Sequence, residues 1–218
     1  FLLADEINRA SPKVQSALLE GMQEMQATIG RETFPIEAPF LVLATQNPIE
    51  SLGTYPLPHA QVDRFMFKVE MSYPTMEEEQ LILKKNITLR KFEEYGIKRI
   101  LSQKDVIDSQ ELTKRIYISP EVERYIVRLV DATRNGHKYG LKNAKYIEYG
   151  ASPRASIGLF IASKAQAVLG GMNYVTPKHV KEVAHDVMCH RIILSYEGQA
   201  EDVKTSDIIS EVLAKVPV

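Results

Sequence analysis

The sequence predicts a two-part molecule, a partial parallel α/β sheet followed by an all-helical unit. Three observations predict it. A short apolar run, Phe1 to Ala4, ends in two adjacent carboxylates, Asp5 and Glu6. A second apolar run, Phe40 to Ala44, ends as abruptly in Thr45, Gln46 and Asn47. From about residue 104 onward, apolar residues recur at helical spacing behind Ser-Pro or Thr-Pro starts. The connection between the two runs contains a helix and is long enough for a parallel crossover. In such sheets the carboxyl ends line one edge, where ligands bind. Asp5, Glu6 and Asn47 are therefore expected to face one crevice.

The elements follow in order. Phe1–Ala4 reads as a buried strand. Ser11-Pro12 is an N-cap and first-turn signal. Val14, Leu18, Leu19 and Met22 then predict a helix over 12–25. Residues 27–38 alternate around Gly30-Arg31 and predict a hairpin. Phe40–Ala44 reads as a second buried strand. Pro58 starts a short helix over 58–64, and Met66–Met71 reads as a third strand. Thr75 and Glu78 form a capping box at the next helix. Residues 86–103 carry no decisive pattern. Helices are predicted near 104–115, 120–134, 153–169, 177–188 and 205–215. Residues 135–150, rich in Gly, Tyr, Lys and Asn, read as a loop. The boundaries fall at 1–72 for the sheet unit, 73–103 for a connecting segment and 104–218 for the helical unit.

Composition sets limits. The 218 residues are 44% hydrophobic and 25% charged, with a formal net charge of -1. That balance argues against a broad nucleic-acid footprint, which needs excess Lys and Arg. Cys189 is the single cysteine. It makes no internal disulfide, fits a reducing, cytoplasmic setting, and reads as a buried structural residue within VMCHRIIL. No apolar run approaches the roughly 20 residues that span a bilayer, and no signal-peptide pattern is present. The chain opens with Phe1 inside a core strand, so the natural protein is expected to continue upstream.

Four sites carry possible chemistry. Paired carboxylates at the end of a buried strand are either a strand end meeting solvent or a Mg²⁺ and water site, as in nucleotide-hydrolysing α/β folds. Phosphoanhydride hydrolysis needs charge stabilisation on the transferred group and an oriented water. Asp5 suits Mg²⁺ and Glu6 suits polarising the water. Asn47 either orients that water or caps a turn before Pro48. Arg64, taken alone, reads as a surface arginine favourable at a helix C-terminus; the sharper reading is an arginine finger reaching a neighbouring subunit. Arg154 follows Ser152-Pro153, so it sits in the first turn of a helix, where a cation opposes the helix dipole. Either it folds back into water or it helps to bind an anion there.

Together these segments resemble an ordered set of known motifs. LLADEINRA resembles a Walker B motif, and LVLATQNPIE a sensor 1 strand. GTYPLPHAQVDRF, Gly53–Phe65, is similar to the segment ending in the arginine finger. GASPRASIGLF, Gly150–Phe160, is similar to sensor 2 in a helical lid. The combination resembles the MoxR family of AAA+ ATPases over nearly the whole chain, and YVTPKHVKEVAHDVMCHRIIL, Tyr174–Leu194, resembles that family's late lid region. The resemblance implies a partial P-loop NTPase core with a parallel sheet, followed by an all-α lid. It implies ATP and Mg²⁺ as cofactors. Asp5 would coordinate the metal, Glu6 would be the catalytic base and Asn47 would be sensor 1. Arg64 would be the finger acting on an adjacent subunit and Arg154 the sensor 2 arginine. It also implies chaperone-like remodelling of proteins, ring oligomers (commonly hexamers), and partners with von Willebrand A domains.

Three departures stand out. His59 replaces the Glu expected in an LPEAQ pattern. Residues 135–150 look longer than the usual connection. No G-x-x-x-x-G-K-[ST] occurs, nor any Gly-Lys pair, so little in these residues cradles phosphates. A full-length parent is expected to hydrolyse ATP, whereas the 218 residues by themselves are not, and their sheet is expected to expose an unpaired edge. The competing readings are a non-catalytic interaction module derived from an ATPase and a magnesium-chelatase-like subunit. A replicative helicase would want a basic hairpin, but Arg31 is offset by Glu32 and Glu37. An enhancer-binding activator would show a GAFTGA-type loop, which is absent.

Overall fold

The computed structural model describes residues 1–47, 53–85 and 92–218. Pro48, invoked in the turn reading of Asn47, lies outside the described residues, as do residues 86–91 of the unassigned stretch. The chain begins with β1 (Leu2–Ala4), α1 (Pro12–Glu24), β2 (Gln26–Ile29), β3 (Glu32–Pro35) and β4 (Val42–Ala44). β1 and β4 pair in parallel with Leu2, Leu3 and Ala4 opposite Val42, Leu43 and Ala44. The crossover read from the sequence is therefore present. β2 and β3 form the expected antiparallel hairpin, and Gly30 supplies the positive φ of 67° that its turn requires. Pro12 opens α1, although the Ser11 side chain makes no cap hydrogen bond.

Two strand expectations are corrected. β1 and β4 are not buried: Leu3 and Leu43 are 65% and 56% exposed. A two-stranded sheet leaves both outer edges open, and α1 packs mainly on the β2–β3 hairpin instead of over β1 and β4. Residues 66–71, predicted as a third strand, join no sheet. After the short helix α2 (His59–Val62), the chain runs extended along the lid. The Lys68 N–H donates to the Asp186 carbonyl at 2.9 Å. Its backbone groups are thus spent on the lid.

α3 (Met76–Lys85) begins at the predicted capping box. The Thr75 N–H donates to Glu78 at 2.9 Å, and the Glu78 N–H returns to the Thr75 hydroxyl at 3.3 Å. The Thr75 N–H first, then the Thr75 hydroxyl at 3.0 Å, donate to the Glu78 carboxylate and hold it below its usual range.

The helical part of the chain contains α4 (Gln103–Arg115), α5 (Pro120–Arg134), β5 (Ile147–Tyr149), α6 (Pro153–Leu169), α7 (Pro177–Met188), β6 (Ile193–Leu194), α8 (Tyr196–Ala200) and α9 (Thr205–Lys215). The core lies here. Tyr125 and Leu129 from α5, Leu159 from α6, Met188 from α7 and Ile208 and Ile209 from α9 are fully buried. Each such side chain contributes about 1.5–3 kcal/mol relative to exposure. α6 and α7 approach closely at Gly158, where an added Cβ would stand 3.0 Å from Val187.

The helical part is not purely helical, because β5 and β6 pair antiparallel. Nor are residues 135–150 a plain loop. They form 3₁₀ turns at Gly136–Tyr139 and Lys142–Tyr146 and then β5. Glu211 accepts the N–H groups of Lys142 and Asn143 at 2.6 and 3.1 Å. Asp131 accepts from Asn135 and Tyr139 at 2.8 and 3.0 Å. The composition reads as loop because the partners that order it lie far away in the chain.

Candidate functional site at the sheet edge and the lid clamp

β1 ends where Glu6 turns left-handed, φ 48° and ψ 52°. A non-glycine residue there stores strain of order 1–3 kcal/mol, and surrounding contacts must hold it. Thr45, the residue after β4, does so. Its hydroxyl donates to Asp5 Oδ1 at 2.6 Å and accepts the Glu6 N–H at 2.9 Å. Its backbone receives the Ile7 N–H at 3.0 Å. Asp5 and Glu6 are thereby fixed to the carboxyl end of the neighbouring parallel strand.

The 3₁₀ turn Ile7–Arg9 continues the construction. Ile7 is buried, 4% exposed. Asn8 Nδ2 donates to the Asn47 carbonyl at 3.3 Å, and Tyr55 N–H donates to the Asn8 carbonyl at 2.6 Å. Gln15, 2% exposed, donates to the Ile7 and Tyr55 carbonyls at 3.1 and 2.8 Å. Arg9 Nε meets Glu6 Oε2 at 2.8 Å. Asn8, Arg9, Gln15 and Thr45 were not singled out from the sequence. One signal was available for Gln15: it lies four residues before Leu19, on the apolar face of α1, where a polar side chain needs a buried partner.

The lid side is built with equal economy. Gly150 lies against α5, where an added Cβ would stand 2.4 Å from the Thr133 carbonyl oxygen. The Ala151 N–H donates to the Thr133 hydroxyl at 2.9 Å, and the Ala151 carbonyl accepts from Arg134 at 2.7 Å. Ser152 caps α6, accepting the Arg154 N–H at 3.2 Å. GASPR is therefore a rigid mount for the helix start.

That mount faces Asp63. The Ser152 hydroxyl reaches the Asp63 carboxylate at 2.9–3.0 Å, and Arg154 Nη1 lies 3.5 Å from it. Arg191, just after α7 with a side chain 3% exposed, places Nε 2.9 Å from Asp63 Oδ1. Its Nη2 donates to the Asp63 and Phe65 carbonyls at 3.1 and 2.6 Å. Nη1 donates to the Met66 carbonyl at 3.1 Å and to the Val187 carbonyl. Burial pulls the Arg191 guanidinium below its ordinary value, and Asp63 offsets part of that. Cys189 is half-buried rather than buried. Its thiol points at the Lys68 carbonyl, 3.5 Å away, and burial raises its pKa.

His190 Nε2 lies 3.0 Å from the Phe65 carbonyl. Burial first, then Arg191, pushes its pKa down to about 4. The bound carbonyl and Asp63 work the other way, and Lys68 adds to the lowering. The unfolded chain takes up this proton near 6.5 and the folded chain only near 4. Stability is thus full above about pH 6.5 and is lost as pH falls toward 4. Urea melts at pH 7 and 4.5 are expected to show that loss. His190→Gln should flatten this component of it; an unchanged pH slope in the variant would remove His190 as the cause.

Of the residues singled out from the sequence, Asp5, Glu6 and Asn47 lie together at the sheet edge through Thr45 and Asn8. Arg154 stands at the lid clamp, one residue away from Arg64 through Asp63. The Arg64 side chain is exposed, beside Glu20 and Gln23 of α1. His59 is exposed at the start of α2.

Residues 1–67 match the family model described as ATPase family associated with various cellular activities (AAA), and residues 141–212 match the AAA lid domain. A crystal structure of a candidate ATPase from Cytophaga hutchinsonii superposes with a TM-score of 0.90 at 49% identity. It covers 99% of this chain and 65% of that one. Chaperone MoxR1 of Mycobacterium tuberculosis is 46% identical over 218 residues, 99% of this chain and 56% of that protein. The chain belongs to the MoxR family of AAA+ ATPases. An uncharacterized Bacillus subtilis protein, YeaC, is 38% identical over 220 residues, spanning 100% of this chain and 66% of its own length. This MoxR-family chain thus spans about half to two thirds of the curated relatives. The strand ending in Asp5 and Glu6 and the segment carrying Arg64 fall within the AAA match, and the GASPR mount within the lid match.

Proposed function

We propose that these residues are the Walker B, sensor and lid portion of a MoxR-type ATPase that hydrolyses ATP with Mg²⁺ and uses the energy to remodel partner proteins. The donor chemistry fits. Mg²⁺ is usually held by one or two carboxylates together with substrate phosphates and waters. Asp5 offers a hard carboxylate whose Oδ1 is fixed by Thr45. Among the described residues no larger acidic or His/Cys cluster competes for a metal. When bound, the metal neutralises charge on the β- and γ-phosphates.

Within that reading Asp5 holds the metal and Glu6 takes the proton from the attacking water. Asn47 orients the water or the γ-phosphate. Arg154 meets the nucleotide from the lid, and Arg64 reaches the site of the adjacent subunit. The reading requires a ring, which we infer to be a hexamer in the cytoplasm serving a von Willebrand A-domain partner. Among the described residues no helix is long and apolar enough to cross a membrane. A single observation supports this assignment most strongly: the DE pair that follows β1 is hydrogen-bonded to Thr45, the residue just after the adjacent parallel strand.

The test is Mg²⁺-dependent phosphate release by the full-length protein and by residues 1–218 alone. Turnover is expected in the former and none above background in the latter. A full-length protein that neither binds nor hydrolyses ATP would overturn the assignment in favour of a non-catalytic module. Turnover by residues 1–218 would overturn the requirement for an upstream phosphate loop.

A further inference from the structure

The geometry points to a positioning role for Asp63 and Arg191: the lid presents Arg64 to the neighbouring subunit. This inference rests on the reading of Arg64 as a finger. Arg191 grips the two carbonyls that bracket Arg64, those of Asp63 and Phe65, at 3.1 and 2.6 Å. It also binds the Asp63 carboxylate at 2.9 Å and the Met66 carbonyl at 3.1 Å. His190 adds a second hold on Phe65 at 3.0 Å, and Ser152 a second hold on Asp63.

Every one of these donors belongs to the lid, and every acceptor belongs to the segment carrying Arg64. The Arg191 side chain is 3% exposed and that of Asp63 is 17% exposed, whereas Arg64 is exposed. No described hydrogen bond or ion pair of the Arg64 guanidinium ties it to its own subunit. A residue whose backbone is fixed on both sides and whose charged end is free is built to reach outward. A flexible arginine placed even about 1 Å away from its target loses much of its effect on rate. Through Arg64 the clamp acts on the neighbour's reaction; within its own subunit it meets Arg154, 3.5 Å from Asp63, and leaves Asp5 and Glu6 untouched.

Acting in trans gives a signature that a general folding defect does not. In full-length protein, Asp63→Asn keeps the shape of the side chain and removes its charge. It is expected to lower kcat about tenfold or more with KM changed less than about threefold. Arg64→Ala is the reference for complete loss of the finger. The deciding measurement mixes Asp63→Asn subunits with Glu6→Gln subunits. The first keep a sound base but present the finger poorly; the second lack the base but present the finger well. Random mixing puts a sound base beside a sound finger at roughly a quarter of interfaces, because each ring interface joins two different patches. Turnover of the mixture is expected to rise well above either variant alone, toward that fraction of the wild-type rate.

Mixtures that stay as inactive as their components would overturn the proposal. If Asp63→Asn fails to fold, by its melting curve, Ser152→Ala takes its place. That variant removes one donor to Asp63 and is expected to show a smaller kcat loss, about fivefold, with a correspondingly smaller rise on mixing. Absence of rescue there would sink the idea as well. A wild type that turns over ATP while these mixtures fail would leave the proposed function standing and remove only the clamp. A wild type that binds no nucleotide would remove both.

Discussion

Glu6→Gln in the full-length protein is expected to leave ATP binding within about threefold of wild type and to lower turnover by at least about 100-fold. The amide has the shape of the carboxylate, so the left-handed turn and the Glu6 N–H bond to Thr45 at 2.9 Å survive the change. What disappears is the group that accepts a proton. General-base contributions of about 10² to 10⁴ set the expected loss. The variant also loses the charge that Arg9 meets at 2.8 Å, a half-exposed pair worth little to stability. Melting should therefore stay close to wild type. Steady-state phosphate release and binding of a fluorescent ATP analogue check the two halves separately. Turnover within about tenfold of wild type would take Glu6 out of the proton transfer. Loss of binding in step with turnover would make it a nucleotide-holding group instead.

Much of this arrangement is legible in the sequence because its cues are local. Proline at N1 and the apolar periodicity place α1, α5, α6, α7 and α9 to within a residue or two, and the Thr75–Glu78 box marks the start of α3. The DE and TQN strand ends pointed to one sheet edge, and Thr45 supplies the bonds that join them. What stayed hidden depends on partners remote in sequence. Residues 66–71 have the composition of a strand, but their backbone is committed to α7 and Arg191. Residues 135–150 have the composition of a loop, but Glu211 and Asp131 order them. Asp63 carries no local cue, because its partners Ser152 and Arg191 lie 89 and 128 residues away. Likewise, one arginine in the apolar run around Arg191 announces no partner until the fold brings Asp63 to it.

Arg191→Met tests how much that hidden contact holds, and it is expected to destabilise the protein by about 3–5 kcal/mol, the cost of breaking a buried pair by removing one member. Methionine fills the aliphatic path of the side chain and removes all the guanidinium donors. Asp63 keeps Ser152 at 2.9–3.0 Å but loses its close cation. The Asp63 and Met66 carbonyls lose donors, and Phe65 retains only His190. The core residues of α5, α6 and α9 are untouched, so the loss reports on the clamp. For a chain of this size it corresponds to a fall in Tm of about 6–20 °C. Arg154→Ala is the internal contrast. Its guanidinium sits 3.5 Å from the same carboxylate with the side chain 45% exposed. An exposed pair of that kind contributes about 0–1 kcal/mol, so its Tm should barely move. Calorimetry on both variants decides the matter. Similar small shifts would mean that water replaces Arg191 without cost and that the lid does not hold the Arg64 segment. A large shift for Arg191 alone ties the stability of the lid to the residues that carry Arg64.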